Sequence, residues 1–196
     1  MLRKRLVVLA SGSGTNLQAL LDAADLGGDV VAVVSDRQDA GALDRARARG
    51  LAANTVVLGG DRQAWEADLA EAVAAHDPDL VILAGFLRIL SGKFVQRWPV
   101  INVHPSLLPA FPGAHAIEEA MAWGVKLVGA TVHFVDEEVD HGPIIAQEAV
   151  PVREDDTAGS LHARVQAIEH RLLPESVRAF CAGRLDIRGR HVRINL

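Results

Sequence analysis

The chain of 196 residues contains no tyrosine, and its other aromatic residues are three tryptophans and five phenylalanines. Surfaces that bind single-stranded nucleic acid stack the bases on aromatic side chains, and few are available here for that purpose. The net charge of −5 also has the wrong sign for contact with a phosphate backbone. The composition therefore predicts no nucleic-acid partner.

Cysteine is almost absent, because Cys181 is the only one. A single cysteine excludes an internal disulfide framework and is typical of a protein kept in a reducing cytoplasm. We interpret Cys181 as a small buried apolar side chain on the last predicted helix.

Long hydrophobic runs are also missing. No apolar stretch approaches the ~20 residues that a membrane-spanning helix needs. The basic N-terminus leads through a short apolar run into a glycine-rich segment and not into a cleavage site, so a secretory signal is not expected. These absences predict a cytoplasmic protein without membrane contact.

The segments that are present alternate between strands and helices, within a length that suits one domain. Short apolar runs predict strands at residues 6–10, 30–34, 55–58, 79–84, 100–104, 128–135 and 144–150. Helical patterns separate the first five of these runs, which is typical of a right-handed parallel sheet. The pattern predicts the α/β class, with a Rossmann-like open twisted sheet. Its N-terminal half is parallel with helices on both faces, and its C-terminal part is mixed or antiparallel.

Capping residues predict several helix boundaries. Asp61 and Thr157 are predicted N-caps, and Gly183 is a predicted C-cap of the last helix. Pro174 is expected to kink or end that helix. Glu169 lies at the edge of the apolar stripe of the helix, where a solvated flank is the default and a position facing a cleft is the alternative.

The segment Ser11-Gly12-Ser13-Gly14-Thr15-Asn16, called here the glycine loop, joins the first strand to the first helix. A helix N-terminus offers free backbone N–H groups and a partial positive charge, which favours a phosphate group. Thr15 and Asn16 add side-chain donors. We favour anion binding here over a simple capped turn.

Two related motifs are rejected. The dinucleotide fingerprint needs a third glycine or alanine where Leu17 stands, so Asp36, which imitates its ribose-binding acid, is interpreted as a turn residue. The P-loop pattern fails because no Gly-Lys-Ser/Thr follows the glycines.

Asn102 and His104 lie two residues apart where the fifth strand ends before a proline, so they share one face. On spacing alone, a strand end capped by polar residues is slightly favoured. The glycine loop at the same sheet edge, and Asp140 on an acidic loop, favour a site for acyl-group transfer instead. Thr131 and His133 share one face of the next strand and are candidates to support this site.

Other chemistries have weaker support. No serine or cysteine stands in a nucleophile-elbow context, so a covalent route is not expected. The histidines lack a recognised ligand spacing, so no metal is expected. Residues 85–90 are interpreted either as one wall of an apolar pocket or as core beneath the next helix. Arg62, in the first turn of its helix, is expected to be exposed and free for a ligand.

Several blocks carry a resemblance to a known family. They are the glycine loop with Leu17-Gln18-Ala19, Ala84–Leu90, residues 102–109, residues 129–135, Asp140-His141-Gly142-Pro143 and the pair Glu169-His170. In this order, over nearly the whole chain, they resemble the folate-dependent phosphoribosylglycinamide formyltransferase family of purine synthesis. The resemblance implies the formyltransferase fold. It also implies direct transfer of formyl from the cosubstrate 10-formyltetrahydrofolate to the amine of glycinamide ribonucleotide through a tetrahedral intermediate.

The resemblance also implies site residues, position by position. The catalytic places fall on Asn102, His104 and Asp140, and the folate site also includes Asn102. The places that bind glycinamide ribonucleotide fall on Gly12, Ser13, Gly14, Thr15, Asn16 and Glu169. The folate-binding places fall on Arg62, Leu87, Arg88, Ile89, Leu90, Asp136, Glu137, Glu138, Val139 and Asp140. His141 departs from the family pattern, in which glycine is common at that position.

On this basis we expect one domain over residues 1–196. Its approximate lobes are a phosphate-binding half at residues 1–98 and a catalytic and folate-binding half at residues 99–196. A homodimer is compatible with the resemblance.

Four other functions compete with this one. A formyltetrahydrofolate hydrolase would use water as the acceptor, and related proteins carry an added N-terminal domain. A formyltransferase for initiator methionyl-tRNA would need an added C-terminal RNA-binding domain. A dinucleotide-dependent oxidoreductase is disfavoured by Leu17. A non-catalytic phosphate- or nucleotide-binding module would bind a ligand without turnover.

Overall fold

Strands and helices alternate along residues 3–195, the part of the chain that the computed structural model describes. In chain order the elements are β1 (Lys4–Leu9), α1 (Thr15–Asp22), β2 (Gly28–Ser35), α2 (Gly41–Ala48), β3 (Ala52–Thr55), α3 (Arg62–Ala74), β4 (Leu80–Leu83), α4 (Gly92–Val95), β5 (Val100–His104), α5 (Ala116–Trp123), β6 (Leu127–Phe134), β7 (Ile144–Pro151), α6 (Ala158–Cys181), β8 (Leu185–Arg188) and β9 (His191–Ile194). No helix among these is long and apolar enough to cross a membrane.

The nine strands form one sheet in the order β3-β2-β1-β4-β5-β6-β7-β9-β8. The pairs from β3 to β5 are parallel. Beyond β5, β6 and β7 pair antiparallel, β9 runs parallel to β7, and β8 runs antiparallel to β9. The predicted α/β class, with a parallel first half and a mixed second half, is therefore confirmed.

Alternate residues of β1 explain why helices cover both faces of the sheet. Leu6 and Val8 pack into a core with apolar residues of α1, α2, α5 and α6. Val7 and Leu9 point the opposite way and pack into a second core with α3 and α4. A strand buried on both faces shows a continuous apolar run, which is the pattern that the sequence displays.

The strand order places a crevice at one edge of the sheet. β1 and β4 are neighbours in the sheet. The chain that leaves β1 continues to β2 on one side, whereas the chain that leaves β4 continues to β5 on the other side. Open α/β sheets bind ligands outside the carboxyl ends of their strands at such a switch point. The glycine loop follows β1, residues 85–90 follow β4, and Asn102 and His104 end β5, so all three segments meet at this edge.

The third strand was predicted at residues 55–58 but lies at Ala52–Thr55. Its register pairs Ala32 with Ala52 and Ser35 with Thr55, so the strand begins as soon as the chain returns from α2. Past Val56 the chain leaves the sheet, and the Val56 carbonyl accepts from the Trp65 indole at 2.8 Å. An apolar run alone therefore misplaced the strand.

Pro174 neither ends nor divides α6, which runs through it as one helix. Its neighbours Leu172, Leu173 and Val177 are buried in the core together with the proline ring, and this packing outweighs the one lost backbone bond. The helix ends where Gly183, with φ of 66°, follows the cap residue. The Gly183 and Arg184 amides donate back to Phe180 and Ala179, both at 2.9 Å, which is a Schellman motif.

The C-terminal hairpin of β8 and β9 was not predicted. Gly189 and Arg190 form a two-residue connection, and Gly189 has φ of 59°. A glycine in a two-residue turn between short alternating segments is a hairpin signal, but the strands are only four residues each and mostly exposed.

Candidate active site

A cavity of about 520 Å³ opens at the carboxyl edge of the sheet. Its lining includes the residues at the end of β5, the glycine loop, the segment 85–90, and residues 135–140 of the loop between β6 and β7. We call residues 85–90 the wall segment and residues 136–143 the acidic loop. The cavity thus brings together four stretches that the sequence separates.

Asp140 reaches back from the acidic loop to the end of β5. Its Oδ1 lies 3.4 Å from Asn102 Nδ2, and its Oδ2 lies 3.4 Å from His104 Nδ1. The backbone amide of Gly113 donates to Oδ2 at 2.8 Å. The three side chains that were singled out in the sequence are therefore neighbours in space.

The backbone at this point is unusual. Asp140 and Phe111 both have φ of 51°, the left-handed region that residues with a Cβ seldom adopt. The Phe111 carbonyl accepts from His104 Nε2 at 2.8 Å. Phe111 and Asp140 thus both contact the His104 imidazole, the first through its carbonyl and the second through its carboxylate. Backbone strain of this kind tends to occur at functional sites.

His104 is buried, and each of its ring nitrogens faces an acceptor. Nε2 must carry a proton to donate to the Phe111 carbonyl, while Nδ1 faces the Asp140 carboxylate. The imidazole of His104 thus lies between a backbone carbonyl and the carboxylate of Asp140.

His133 is one of two partners of the Asn102 amide nitrogen. Its Nδ1 donates to the Phe134 carbonyl at 2.8 Å, so Nε2 carries the lone pair when the ring is neutral. Asn102 Nδ2 then donates to Nε2 at 3.2 Å. Both partners of this amide nitrogen, His133 and Asp140, are at long range, so the amide can turn toward a better acceptor.

Thr131 is fully buried behind the cavity and does not line it. Its hydroxyl donates to the Ser106 carbonyl at 2.6 Å and accepts from the Leu108 amide at 3.1 Å. Thr131 therefore holds the chain that leaves β5, whereas His133, the other supporting candidate, lines the cavity.

The pKa of Asp140 results from opposing effects. Burial raises the pKa of this carboxyl, but the His133 ring, the charge of His104 and the Gly113 N–H act together in the opposite direction. The net pKa lies below the ordinary value for aspartate. The carboxyl is therefore ionised at neutral pH.

The glycine loop forms the far end of the cavity. Gly14 has φ of 76°, and a Cβ there would lie 2.6 Å from Ala42 Cα, so only glycine fits. No side chain caps α1, which begins at Thr15, so its first N–H groups remain free to bind an anion. This is the arrangement that the sequence predicts for a phosphate site.

Glu169 is buried at this end and is not a solvated flank. It is 4% exposed, and its Oε2 accepts from Asn16 Nδ2 at 2.9 Å. Burial raises the pKa of this carboxyl, and the Asn16 bond and the charges of His162 and His104 offset only part of that effect. The default interpretation of Glu169 was wrong because α1 covers this face of α6, a contact that a helical wheel cannot show.

Two lining residues were missed in the sequence. Gln166 donates to the Thr15 hydroxyl at 3.0 Å, and His162 lies one turn earlier on the same helix. With Glu169 they recur at spacings of four and three residues, which places all three on one face of α6. That spacing was available as a signal.

Both interpretations of the wall segment hold, because buried and exposed residues of this segment line the cavity together. Phe86 and Leu90 are buried in the core, whereas Leu87 and Ile89 are 67% and 56% exposed. Leu87, Arg88, Ile89 and Leu90 all line the cavity. Arg62 is exposed as expected but is not free, because its Nη2 donates to the Ile89 carbonyl at 2.5 Å.

The acidic loop forms the opposite side, and Asp136, Glu137, Glu138, Val139 and Asp140 all line the cavity. His141 Nδ1 lies 2.8 Å from Asp136 Oδ2, and Arg190 donates to the His141 carbonyl at 2.6 Å. His141 thus joins the acidic loop to the C-terminal hairpin.

Asp36 lies where the chain turns after β2, as the sequence predicts, but it also makes a buried ion pair that the sequence did not indicate. Its side chain is 1% exposed, and Oδ2 accepts from Arg88 Nε at 2.6 Å. The carboxylate is buried because the wall segment folds over the end of β2, which sequence spacing does not reveal.

Comparison with known proteins adds a family. The family model for formyl transferases matches residues 4–177. A phosphoribosylglycinamide formyltransferase of Mycobacterium tuberculosis (strain H37Rv) is 47% identical over 192 residues, which covers 95% of this chain and 89% of that protein. A protein of the same name from Escherichia coli (strain K12) is 43% identical over 189 residues, covering 93% and 89%.

A solved structure gives the same result for the fold. The crystal structure of glycinamide ribonucleotide transformylase 1 from Symbiobacterium toebii superposes with a TM-score of 0.94 at 50% identity, covering 98% of this chain and 94% of that one.

Proposed function

The chain belongs to the formyl transferase family, and from this premise we propose that it transfers the formyl group of 10-formyltetrahydrofolate to the amine of glycinamide ribonucleotide. The products are formylglycinamide ribonucleotide and tetrahydrofolate, in de novo purine synthesis. The enzyme is a transferase whose formyl donor is folate-derived. One observation carries the proposal: Asn102, His104 and Asp140 meet between the glycine loop and an apolar wall in a single cavity.

The two ends of the cavity suit the two substrates. The glycine loop receives the phosphate at the N-terminus of α1, and Glu169 accepts from the ribose hydroxyls. The exposed side chains of Leu87 and Ile89 provide a flat apolar surface for the folate rings, with the acidic loop on the other side. The reacting amine and formyl group then meet beside Asn102.

The chemistry follows from the polar groups at that point. The unprotonated amine attacks the formyl carbon, and the carbonyl oxygen becomes an oxyanion. Asn102 Nδ2 turns from its two long contacts toward this oxygen and donates to it, and the His104 ring, whose Nδ1 faces Asp140, is the second group that stabilises the oxyanion. Asp140, ionised, accepts the proton of the attacking nitrogen through water and returns it to the leaving folate nitrogen.

Replacement of Asn102 by alanine tests the oxyanion role. Loss of one preorganised donor should lower turnover roughly 10²–10³-fold. Asn54→Ala is a matched control. Asn54 lies on the distant strand β3, and its Nδ2 also contacts a histidine ring, 3.1 Å from Nε2 of His76. Turnover of Asn102→Ala within a few-fold of the wild type would show that the role is wrong.

A single optical assay separates the transferase from its rivals. Deformylation of 10-formyltetrahydrofolate is followed with and without glycinamide ribonucleotide. Turnover that requires the acceptor supports the transferase, whereas equal turnover without it indicates a hydrolase. Binding without any turnover indicates a non-catalytic module.

We also propose that residues 1–196 form one domain in the cytoplasm. One sheet contains strands from both predicted lobes, which supports a single unit. Cooperative unfolding in one calorimetric transition is expected. A homodimer remains our proposal for the assembly and is measured by sedimentation.

A further inference from the structure

The buried ion pair between Asp36 and Arg88 has no part in the chemistry described above. Asp36 follows β2 directly, at the same sheet edge as the cavity, and its side chain is 1% exposed. Its Oδ1 is buried and has no hydrogen-bond partner among residues 3–195. The contact with Arg88 Nε at 2.6 Å is therefore the main compensation for a buried charge.

The guanidinium of Arg88 is held from one side only. Asp36 accepts a hydrogen bond from Arg88 Nε, and the two terminal amino groups of Arg88 donate no hydrogen bond to any described residue. The Arg88 side chain is 37% exposed and lines the cavity. A guanidinium with its Nε fixed and its amino groups free presents a planar fork of donors to a ligand.

The rest of the wall segment is fixed through its backbone. The Leu87 amide donates to Ser11 Oγ at 2.9 Å, and the Gly85 carbonyl accepts from the Ser11 amide at 2.9 Å. Asp36 differs from these contacts because it fixes a side-chain direction.

The direction matters because the acidic loop lines the same cavity as Arg88. Four of its residues, Asp136, Glu137, Glu138 and Asp140, carry carboxylates. An arginine released from Asp36 would be attracted across the cavity toward these charges and would obstruct the entry of a ligand.

We propose that Asp36 is a positioning residue for the folate site. By holding Nε, it keeps the terminal amino groups of Arg88 turned to an acceptor oxygen of the formyl donor and away from the acidic loop. The inference rests on the proposed function, because it requires that folate occupies this part of the cavity.

The test is steady-state kinetics of Asp36→Ala with each substrate varied in turn. Loss of a charge-assisted contact should raise the KM for 10-formyltetrahydrofolate roughly ten-fold. The KM for glycinamide ribonucleotide and kcat should stay within two-fold. Asp39→Ala is the matched control, because it removes an exposed ion pair to Arg37 just along the chain and should change neither KM.

A double-mutant comparison separates positioning from a general structural effect. In an Arg88→Met background, Asp36→Ala should add no further increase in the folate KM. An additive increase, or equal increases in both KM values, would overturn the proposal. If Asp36→Ala does not fold, Asp36→Asn keeps the size of the side chain and is measured in the same way.

Direct binding of tetrahydrofolate, measured by the quenching of tryptophan fluorescence, distinguishes failure of the positioning role of Asp36 from failure of the proposed function. If the wild type turns over and Asp36→Ala binds folate as tightly as the wild type, only the positioning role fails. If the wild type neither binds folate nor turns over, both proposals fail.

Discussion

Two carboxylates lie in the same cavity, and their pKa values move in opposite directions. Burial acts upward on the pKa of both Asp140 and Glu169. Asp140 also meets a backbone N–H and two imidazole rings, and its pKa ends below the ordinary value. Glu169 has one amide partner, and its pKa ends above. The donors around a buried acid therefore decide in which direction its pKa moves.

The difference matches the two proposed roles. An ionised Asp140 can accept a proton during transfer, whereas Glu169, whose pKa is raised, is proposed to bind the ribose and takes no part in proton transfer. Four predictions test or extend this comparison.

Asp140→Asn should have the largest effect. Its amide oxygen can still accept from the Gly113 N–H, but it cannot take a proton, so turnover should fall roughly 10²–10⁴-fold. The measurement is kcat at saturating substrates. Asp79→Asn is the control, since Asp79 also has a lowered pKa but bonds Lys4 and the Arg5 amide away from the cavity. A variant that keeps a tenth of the wild-type turnover would contradict the role of Asp140.

Glu169→Gln should make the protein more stable at neutral pH. The folded pKa of Glu169 is raised above its ordinary value of 4.5, so its ionisation costs stability as the pH rises from that value through the folded pKa. Glutamine avoids this cost, and each unit of difference corresponds to about 1.4 kcal/mol. Urea unfolding across this pH range should give the same free energy of unfolding for the wild type and Glu169→Gln in acid. As the pH rises above 4.5, Glu169→Gln should become increasingly the more stable of the two.

The same unfolding series on Asp140→Asn should give the opposite sign. The folded pKa of Asp140 is lowered, so its contribution to stability is present above the ordinary value of 3.8 and disappears as the pH falls through the folded pKa. The wild type should therefore be the more stable protein at neutral pH. Curves with the same sign for both variants would refute the comparison.

The smallest effect is expected at Cys181. Burial raises the pKa of this half-buried thiol to about 11, without a strong hydrogen-bond donor to oppose it. Its thiolate fraction at neutral pH is therefore far below that of a free cysteine, so alkylation by iodoacetamide should be slow until urea unfolds the chain. Rapid alkylation of the folded protein would show that the pKa of the Cys181 thiol is not raised. Cys181 packs against the apolar core but is only partly buried, so its interpretation as a buried apolar side chain holds only in part.

The sequence predicts what depends on neighbouring residues. The apolar runs of β1, β2, β4 and β5, the Asp61 cap and the glycine loop all follow from short patterns, and the structure places them as expected. Asn102 and His104 share a face because strand geometry fixes it.

The missed features depend on contacts between distant parts of the chain. Glu169 and Asn16 meet across 153 positions, and Asp36 meets Arg88 across 52. No local pattern contains such a distance, so the burial of both acids was not predictable from spacing. The same reason explains β3, whose position is set by its register with β2.

The long last helix has a practical meaning for protein engineering. The family match ends at residue 177, inside α6, which continues to Cys181. A version shortened at that boundary would lose the Schellman motif and also Arg190, which holds the acidic loop through His141. The limits of a shared domain should therefore not be used as cutting points.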